Sequence, residues 1–415
     1  MLFSAAVSLE DWAGMFGTWG KPGVYKILRE LKENGVGRVY WRTLGAGQSA
    51  YPSRITEPIT EWWSGEKLYD PATAKALGIE LKELITDFGA YDHQACARDL
   101  SRKMGIEFYL WHECHMESHS GQYSQFIIRH PEFRAINRWG EALTGHLSWG
   151  YKETIDRRLS LFKEALAYEP DGLALDLVKG GDHNVPRVDQ HGFSAIGYEE
   201  PILRAFEQKT GKSAFDIANT DPEWVRFRAS YVTDFMHQVR QYQRRLYPAV
   251  KIGLFAAHAG RMMGTYPNDE PYVPQSPRSD DPRTTLYALL LDERSLKVGL
   301  AGPLDGNLED VDIWLEDQLF DFVDAAIVAV PHYVEGKLDT ASYRQRIDES
   351  RALVAGRVPF GTQLVSWSVS HEHIVEGART AKEAGCKEVV LFESQGVEAN
   401  RNWAAVKEAV AKFGA

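Results

Sequence analysis

Several short apolar runs in this chain end on a carboxylate. In DGLALDLVKGGDH, Leu173, Ala174 and Leu175 lead directly into Asp176. Glu393 follows Val389, Val390, Leu391 and Phe392 in the same way, and Glu113 closes Tyr109-Leu110-Trp111-His112. An unpaired charge is costly to bury, so a carboxylate at the end of an apolar run must be held by partners or face a ligand. Two such groups facing each other can do general acid and base work. The competing readings are structural. Asp176 could cap the following loop or pair with Lys179, and Glu393 or Glu113 could pair with a basic neighbour. The acidic stretches at Asp269-Glu270 and Glu309-Asp310 read as solvated surface.

Five histidines fall at or just beyond the ends of apolar runs: His112, His115, His183, His258 and His332. Histidine with carboxylates can bind zinc. However, HEXXH is absent, and His112-Glu113-Cys114-His115 lacks a helical ligand spacing. Hydrogen bonding to a hydroxyl-rich ligand fits these histidines better, and no metal or cofactor is expected. Trp41, Trp62, Trp63, Trp111, Trp139, Trp149 and Trp367 lie in or beside the long connections. Indole rings stack on the apolar faces of sugars, although any one of them could simply pin a loop. The expected cleft is lined by Trp41, Arg42, Trp111, His112, His115, Lys179, His258, His332, Tyr333 and Trp367.

Eight apolar strands would place these residues: Leu2–Val7, Gly37–Arg42, Ile106–His112, Gly172–Leu177, Lys251–Ala257, Ala325–Val330, Pro359–Val365 and Glu388–Phe392. Nearly continuous apolar character suits strands buried on both faces. Helical periodicity separates them, as in Val24, Ile27, Leu28 and Leu31. The longest such segment is 222–246, where Asp221-Pro222 supplies an N-cap and a proline at the first helical position. Further helices are expected near 199–209, 310–320, 343–355, 372–384 and 402–413. Gly35, Gly105 and Gly385 stand where helices should end. The pattern predicts an α/β chain folded as a single (β/α)8 TIM barrel over residues 1–415. The rival is a doubly wound sheet, whose dinucleotide variant would show GxGxxG after the first strand; none is there.

A bare barrel needs about 250 residues, and this chain has 415. The surplus falls in 43–91, 113–152, 178–221 and 258–309, after strands 2–5. Those are the strand ends where barrels carry their sites. Lys plus Arg is 47 against 58 Asp plus Glu, a net charge of −11, which disfavours non-specific binding to nucleic acid or an anionic membrane. A carbohydrate is the expected partner; a homo-oligomer is left open. Cys96, Cys114 and Cys386 are too scattered for a disulfide framework. No apolar run of 18 residues exists, and MLFSAAVSLEDW has no basic start or long apolar core, so the chain reads as cytoplasmic.

Three stretches resemble the glycosidase-like families related to the family 10-like glycosyl hydrolases. They are ARDLSRKMGIEFYLWHECHMES, HPEFRAINRWGEALTGHLSWGYKETIDRRLSLFKEALAYEPDGLALD and FEQKTGKSAFDIANTDPEWVRFRASYV, covering roughly 95–235. The resemblance implies a barrel acting on a glycosidic bond, with Asp176 as the leading catalytic carboxylate. DGLALD is also similar to the α-amylase-like strand whose final Asp is the nucleophile. It departs from that pattern at Ala174, where that group has Arg, and no Glu closes the fifth strand. The expectation is therefore a glycoside hydrolase with Asp176 as nucleophile or base, and Glu393, then Glu113, as its partner acid. Carboxylates about 5–5.5 Å apart would mean retention and about 6.5–9.5 Å inversion; strands four and eight lie across a barrel from each other, which favours the wider spacing. The alternatives are a metal-dependent TIM-barrel hydrolase or isomerase and a non-catalytic carbohydrate-binding barrel.

Overall fold

A computed structural model of the chain describes residues 1–59, 88–114, 117–119, 122–138, 140, 142–176, 196–217, 221–256, 311–325, 333–334, 337–338, 340–366 and 369–414. Eight parallel strands close into a barrel: β1 (Leu2–Val7), β2 (Arg38–Arg42), β3 (Glu107–Glu113), β4 (Gly172–Asp176), β5 (Lys251–Ala256), β6 (Phe322–Ala325), β7 (Phe360–Val365) and β8 (Glu388–Phe392). Each pairs with its sequence neighbour, and β8 closes on β1 through Leu2↔Glu388 to Ala5↔Leu391. Helices run between strands. Among them are Gly20–Glu33, His93–Met104, Lys152–Leu166, Pro222–Leu246, Thr340–Val354 and His371–Glu383, with Trp403–Phe413 after β8. Asp221 caps its helix as expected, its Oδ1 accepting from the Glu223 and Trp224 amides at 2.9 and 3.3 Å. Gly35, Gly105 and Gly385 all take the left-handed conformation that ends a helix. Among the described residues, no helix is long and apolar enough to cross a membrane.

The strands are apolar on both faces because each face has its own core. Outward residues, among them Val39, Trp41, Leu110, Leu173, Leu254 and Leu391, pack with helix residues such as Ile27, Leu28, Phe162, Phe235 and Ile374. Inward residues form a separate plug of Ala6, Tyr40, Tyr109, Trp111, Ala174, Phe255, Phe322 and Val390. The plug is aromatic where its neighbours are small. A Cβ on Gly172 would strike the Tyr109 ring, and one on Gly253 would strike Phe322.

Seven strands lie where the sequence reading puts them, within one residue over the described chain. The sixth does not. Ala325–Val330 was expected, but β6 is Phe322–Ala325, and 326–332 lie outside the described residues. The apolar run misleads because Asp324 belongs inside the strand. Its carboxyl points into the lower lumen, where Tyr40 Oη donates to Oδ2 at 2.8 Å. The same lower layer holds Arg38, ion-paired with Glu388 and Glu107, and Ser4, which donates to Glu388.

Candidate active site

The opposite, C-terminal end of the barrel gathers carboxylates around one arginine. Arg42 ends β2 and reaches over the aromatic plug, its guanidinium 5.0 Å from the Trp111 ring centre. It donates from Nε to the Leu44 carbonyl at 2.9 Å, from Nη1 to Glu10 Oε1 at 2.9 Å, and from Nη2 to Glu113 Oε1 at 2.5 Å. Glu10 and Asp11 come from the first turn of a helix, Leu9–Phe16, that starts just after β1. On the far side Gln395 Nε2 donates to Asp11 Oδ2 at 3.0 Å and to Glu393 Oε2 at 2.5 Å. Glu393 follows a cis peptide bond after Phe392. Trp12 Nε1 donates to Ser394 Oγ at 3.0 Å, tying the chain after β1 to the chain after β8.

Asp176 and Glu113 end neighbouring strands as register partners. Trp111, two residues before Glu113 and on the same face, donates from Nε1 to Asp176 Oδ2 at 2.7 Å. Its ring meets Phe392 edge-on at 5.1 Å. Asp176 is half-buried, whereas Glu10, Asp11, Arg42, Glu113 and Glu393 are buried.

Burial dominates the electrostatics of this end. It pushes the Glu113 carboxyl up to about 7; Arg42 opposes the shift and the nearby Asp176 charge adds to it. Burial, then Asp11, drives Glu393 well above the usual carboxylate range. Burial also raises Glu10, against the pull of Arg42. Desolvation works against the Arg42 charge, but Glu113, Glu10 and Glu393 outweigh it and keep the guanidinium protonated. Among the described residues, neither Glu10 Oε2 nor Glu113 Oε2 has a hydrogen-bond partner, although both atoms are buried. Such atoms are rare in folded proteins and mark positions where a proton, water or ligand belongs.

The structure brings together Asp176, Glu113, Glu393, Arg42 and Trp111 from the expected set. It removes two others from the cleft. Trp41 is fully buried among outward residues between barrel and helices. His112 also turns outward, its Nδ1 2.9 Å from Thr43 Oγ1 and its ring against Phe162. Burial lowers its pKa to about 3, so it stays neutral as a packing residue. Alternation explains both corrections, since a strand that turns Arg42 and Trp111 inward must turn Trp41 and His112 outward. Trp149 is likewise structural, with Arg158 stacked 3.8 Å from its ring centre. His115, Lys179, His258, His332 and Trp367 lie outside the described residues, as do His183, Trp62, Trp63 and Trp139. Tyr333 belongs to a two-residue strand paired with Lys337–Leu338. The sequence reading missed Glu10, Asp11 and the role of Gln395. Glu10 and Asp11 lie in the first helical turn after β1, where residue type alone reads as an acidic helix start.

Solved structures share this fold at low identity. A β-galactosidase from the psychrophilic Marinomonas ef1 aligns with a TM-score of 0.54 at 12% identity, over 100% of this chain and 60% of its own. A polyextremophilic β-galactosidase from the Antarctic haloarchaeon Halorubrum lacusprofundi gives 0.51 at 11% identity, over 100% and 58%. This chain thus spans about 60% of the length of those neighbours. No curated protein sequence matches it. The sequence pattern of one family does match, over residues 56–345 and so well over half the chain, and by that match the chain belongs to the glycosyl hydrolase-like 10 family.

Proposed function

We propose that the protein is a glycoside hydrolase that works with retention, using Asp176 as nucleophile and Glu113 as general acid and base. The observation that carries this reading is the pairing of these two carboxylates on adjacent strand ends, with Glu113 raised to about 7. Neighbouring strands are about 4.8 Å apart, which suits the short separation of retaining enzymes, about 5–5.5 Å, better than the wider inverting one. Glu393 follows β8, across the barrel from β4, so on this reading the partner moves from the opposite wall, favoured on sequence grounds, to the adjacent strand.

In the first step Asp176 Oδ1 attacks the anomeric carbon, while Trp111 holds Oδ2. The glycosidic C–O bond breaks as the Glu113 proton passes to the leaving oxygen. Glu113, now ionised, then takes a proton from water. That water attacks the anomeric carbon and releases Asp176. A carboxyl with a pKa near the working pH suits this double duty. Arg42 steadies the ionised form of Glu113 between the steps. Trp111 and Phe392 offer an apolar floor beneath the sugar ring, and Glu393 with Gln395 offers acceptors and donors to its hydroxyls.

The test is trapping with a panel of activated 2-deoxy-2-fluoro glycosides, followed by intact mass and peptide mapping. Wild-type protein should gain one glycosyl unit on Asp176. Asp176→Asn should gain none and should lose at least about a thousandfold in turnover of aryl glycosides, at an unchanged melting temperature. Full turnover in Asp176→Asn, or labelling of another carboxylate, would overturn the assignment.

A further inference from the structure

The N-terminal mouth of the barrel, opposite the carboxylate cluster, contains a cavity of about 320 Å³ that the proposed mechanism does not use. This volume lies at the lower end of the range for small-molecule sites. Its wall is built from the starts of β5 to β8, with β2 and β3 behind. Two buried side chains on its floor have polar atoms to spare. Tyr109 is 1% exposed, and among the described residues its hydroxyl makes no hydrogen bond. Asp324 is 2% exposed; its Oδ2 accepts from Tyr40, whereas its Oδ1 has no partner among the described residues. Gly361 leaves the space that Oδ1 occupies, because a Cβ there would collide with it.

Two lysines stand at the rim. Lys251 and Lys387 both line the cavity, and neither forms an ion pair among the described residues. The remaining charged groups are already engaged. Asp321 is held by Arg240 through two hydrogen bonds at 2.6 and 2.8 Å and accepts from the Ile252 amide. Glu388 is held by Arg38 and Ser4. Burial and the neighbouring Glu388 drive the Asp324 carboxyl well above its usual range. The groups left to meet a ligand are two ammonium groups at the rim and, on the floor, the Tyr109 hydroxyl and Asp324 Oδ1.

We propose that this mouth is a second, non-catalytic binding site for a small hydroxylated anion of sugar-phosphate size, its anionic group between Lys251 and Lys387 and its hydroxyls on Tyr109 Oη and Asp324 Oδ1. The site is independent of the chemistry at the other end of the barrel. Calorimetric titration of the full chain with glucose 6-phosphate, glucose and inorganic phosphate tests it. Saturable binding of glucose 6-phosphate is expected, with glucose and inorganic phosphate each at least tenfold weaker. Lys251→Ala combined with Lys387→Ala should weaken glucose 6-phosphate at least tenfold, and Tyr109→Phe by a smaller factor. Neither change should shift aryl-glycoside turnover. The lysines stand at the rim, so the double variant should fold as the wild type does. Absence of saturable binding overturns the proposal. So does binding that survives the double lysine change, or inorganic phosphate binding as tightly as glucose 6-phosphate.

Discussion

The two ends of the barrel are built on the same strand and the same device, yet they finish differently. Arg38 and Arg42 stand four residues apart on β2, so both face the lumen, one below the aromatic plug and one above it. Each binds two carboxylates: Arg38 takes Glu388 and Glu107, and Arg42 takes Glu10 and Glu113. Below the plug, Glu107 is half exposed, so water shares the load, and Tyr40 and Ser4 bind the inner carboxylates. Above it, all the partners of Arg42 are buried, and two carboxylate oxygens are left without a hydrogen bond among the described residues. Around Arg38, no sealed carboxylate oxygen lacks a hydrogen bond among the described residues. Around Arg42 two such oxygens stand beside a half-exposed Asp176, and that difference is why the catalytic role is proposed for the upper end.

Removing the arginines should separate the two roles. Arg42→Leu and Arg38→Leu each strand a buried carboxylate, and breaking such a pair typically costs about 3–5 kcal/mol. Urea denaturation should show a loss of that order in both variants. Only Arg42→Leu should also cut kcat/KM for aryl glycosides, by at least about a hundredfold. Arg38→Leu should stay within about threefold of wild type. Equal losses of activity in the two would mean that the ends of the barrel are not independent.

The next effect is a pH dependence. Glu113 and Glu199 are both pushed up to about 7, chiefly by burial. Each folded carboxyl therefore holds its proton above pH 4.5, where the unfolded one has begun to release it. Stability is fully present below about pH 4.5 and falls as the pH rises through 7, because the folded state binds more protons over that window. A shift of this size corresponds to about 3 kcal/mol per group, as an order of magnitude. Denaturation midpoints should fall between pH 5 and 8, and Glu113→Gln should flatten part of that slope. A midpoint that rises across this range would show that the two carboxyls ionise early.

Much of this arrangement was legible in the residues, and the failures share a cause. The apolar runs located β1, β8 and most of the barrel because both faces of those strands are buried. β6 was misplaced because Asp324 looks like a loop residue until the lumen supplies Tyr40 as its donor. Trp41 and His112 were assigned to the cleft on residue type alone, although the alternation that turns Arg42 and Trp111 inward excludes them. Glu10 and Asp11 look like an ordinary acidic first turn of a helix. Only the closure of β8 against β1 brings them to Glu393 through Gln395, and no local pattern encodes that contact.

The smallest effect tests the proposed pair most finely. Trp111 fills the plug and also donates to Asp176, and the two roles can be separated. Trp111→Phe keeps an aromatic ring against Phe392 but removes the indole N–H. One hydrogen bond to a charged group is worth about 1.5–3 kcal/mol, and part of that is regained from water because Asp176 is half-buried. If the bond only holds the plug together, the variant should lose stability and keep its turnover. If it aims the nucleophile, kcat should fall about tenfold or more while KM changes little, since the interaction matters most as the Asp176 oxygen approaches the anomeric carbon. The split between kcat and KM, read beside the melting temperature, decides between the two. A fall in melting temperature with unchanged kcat would place Trp111 with the architecture of the lower end, not with the chemistry of the upper one.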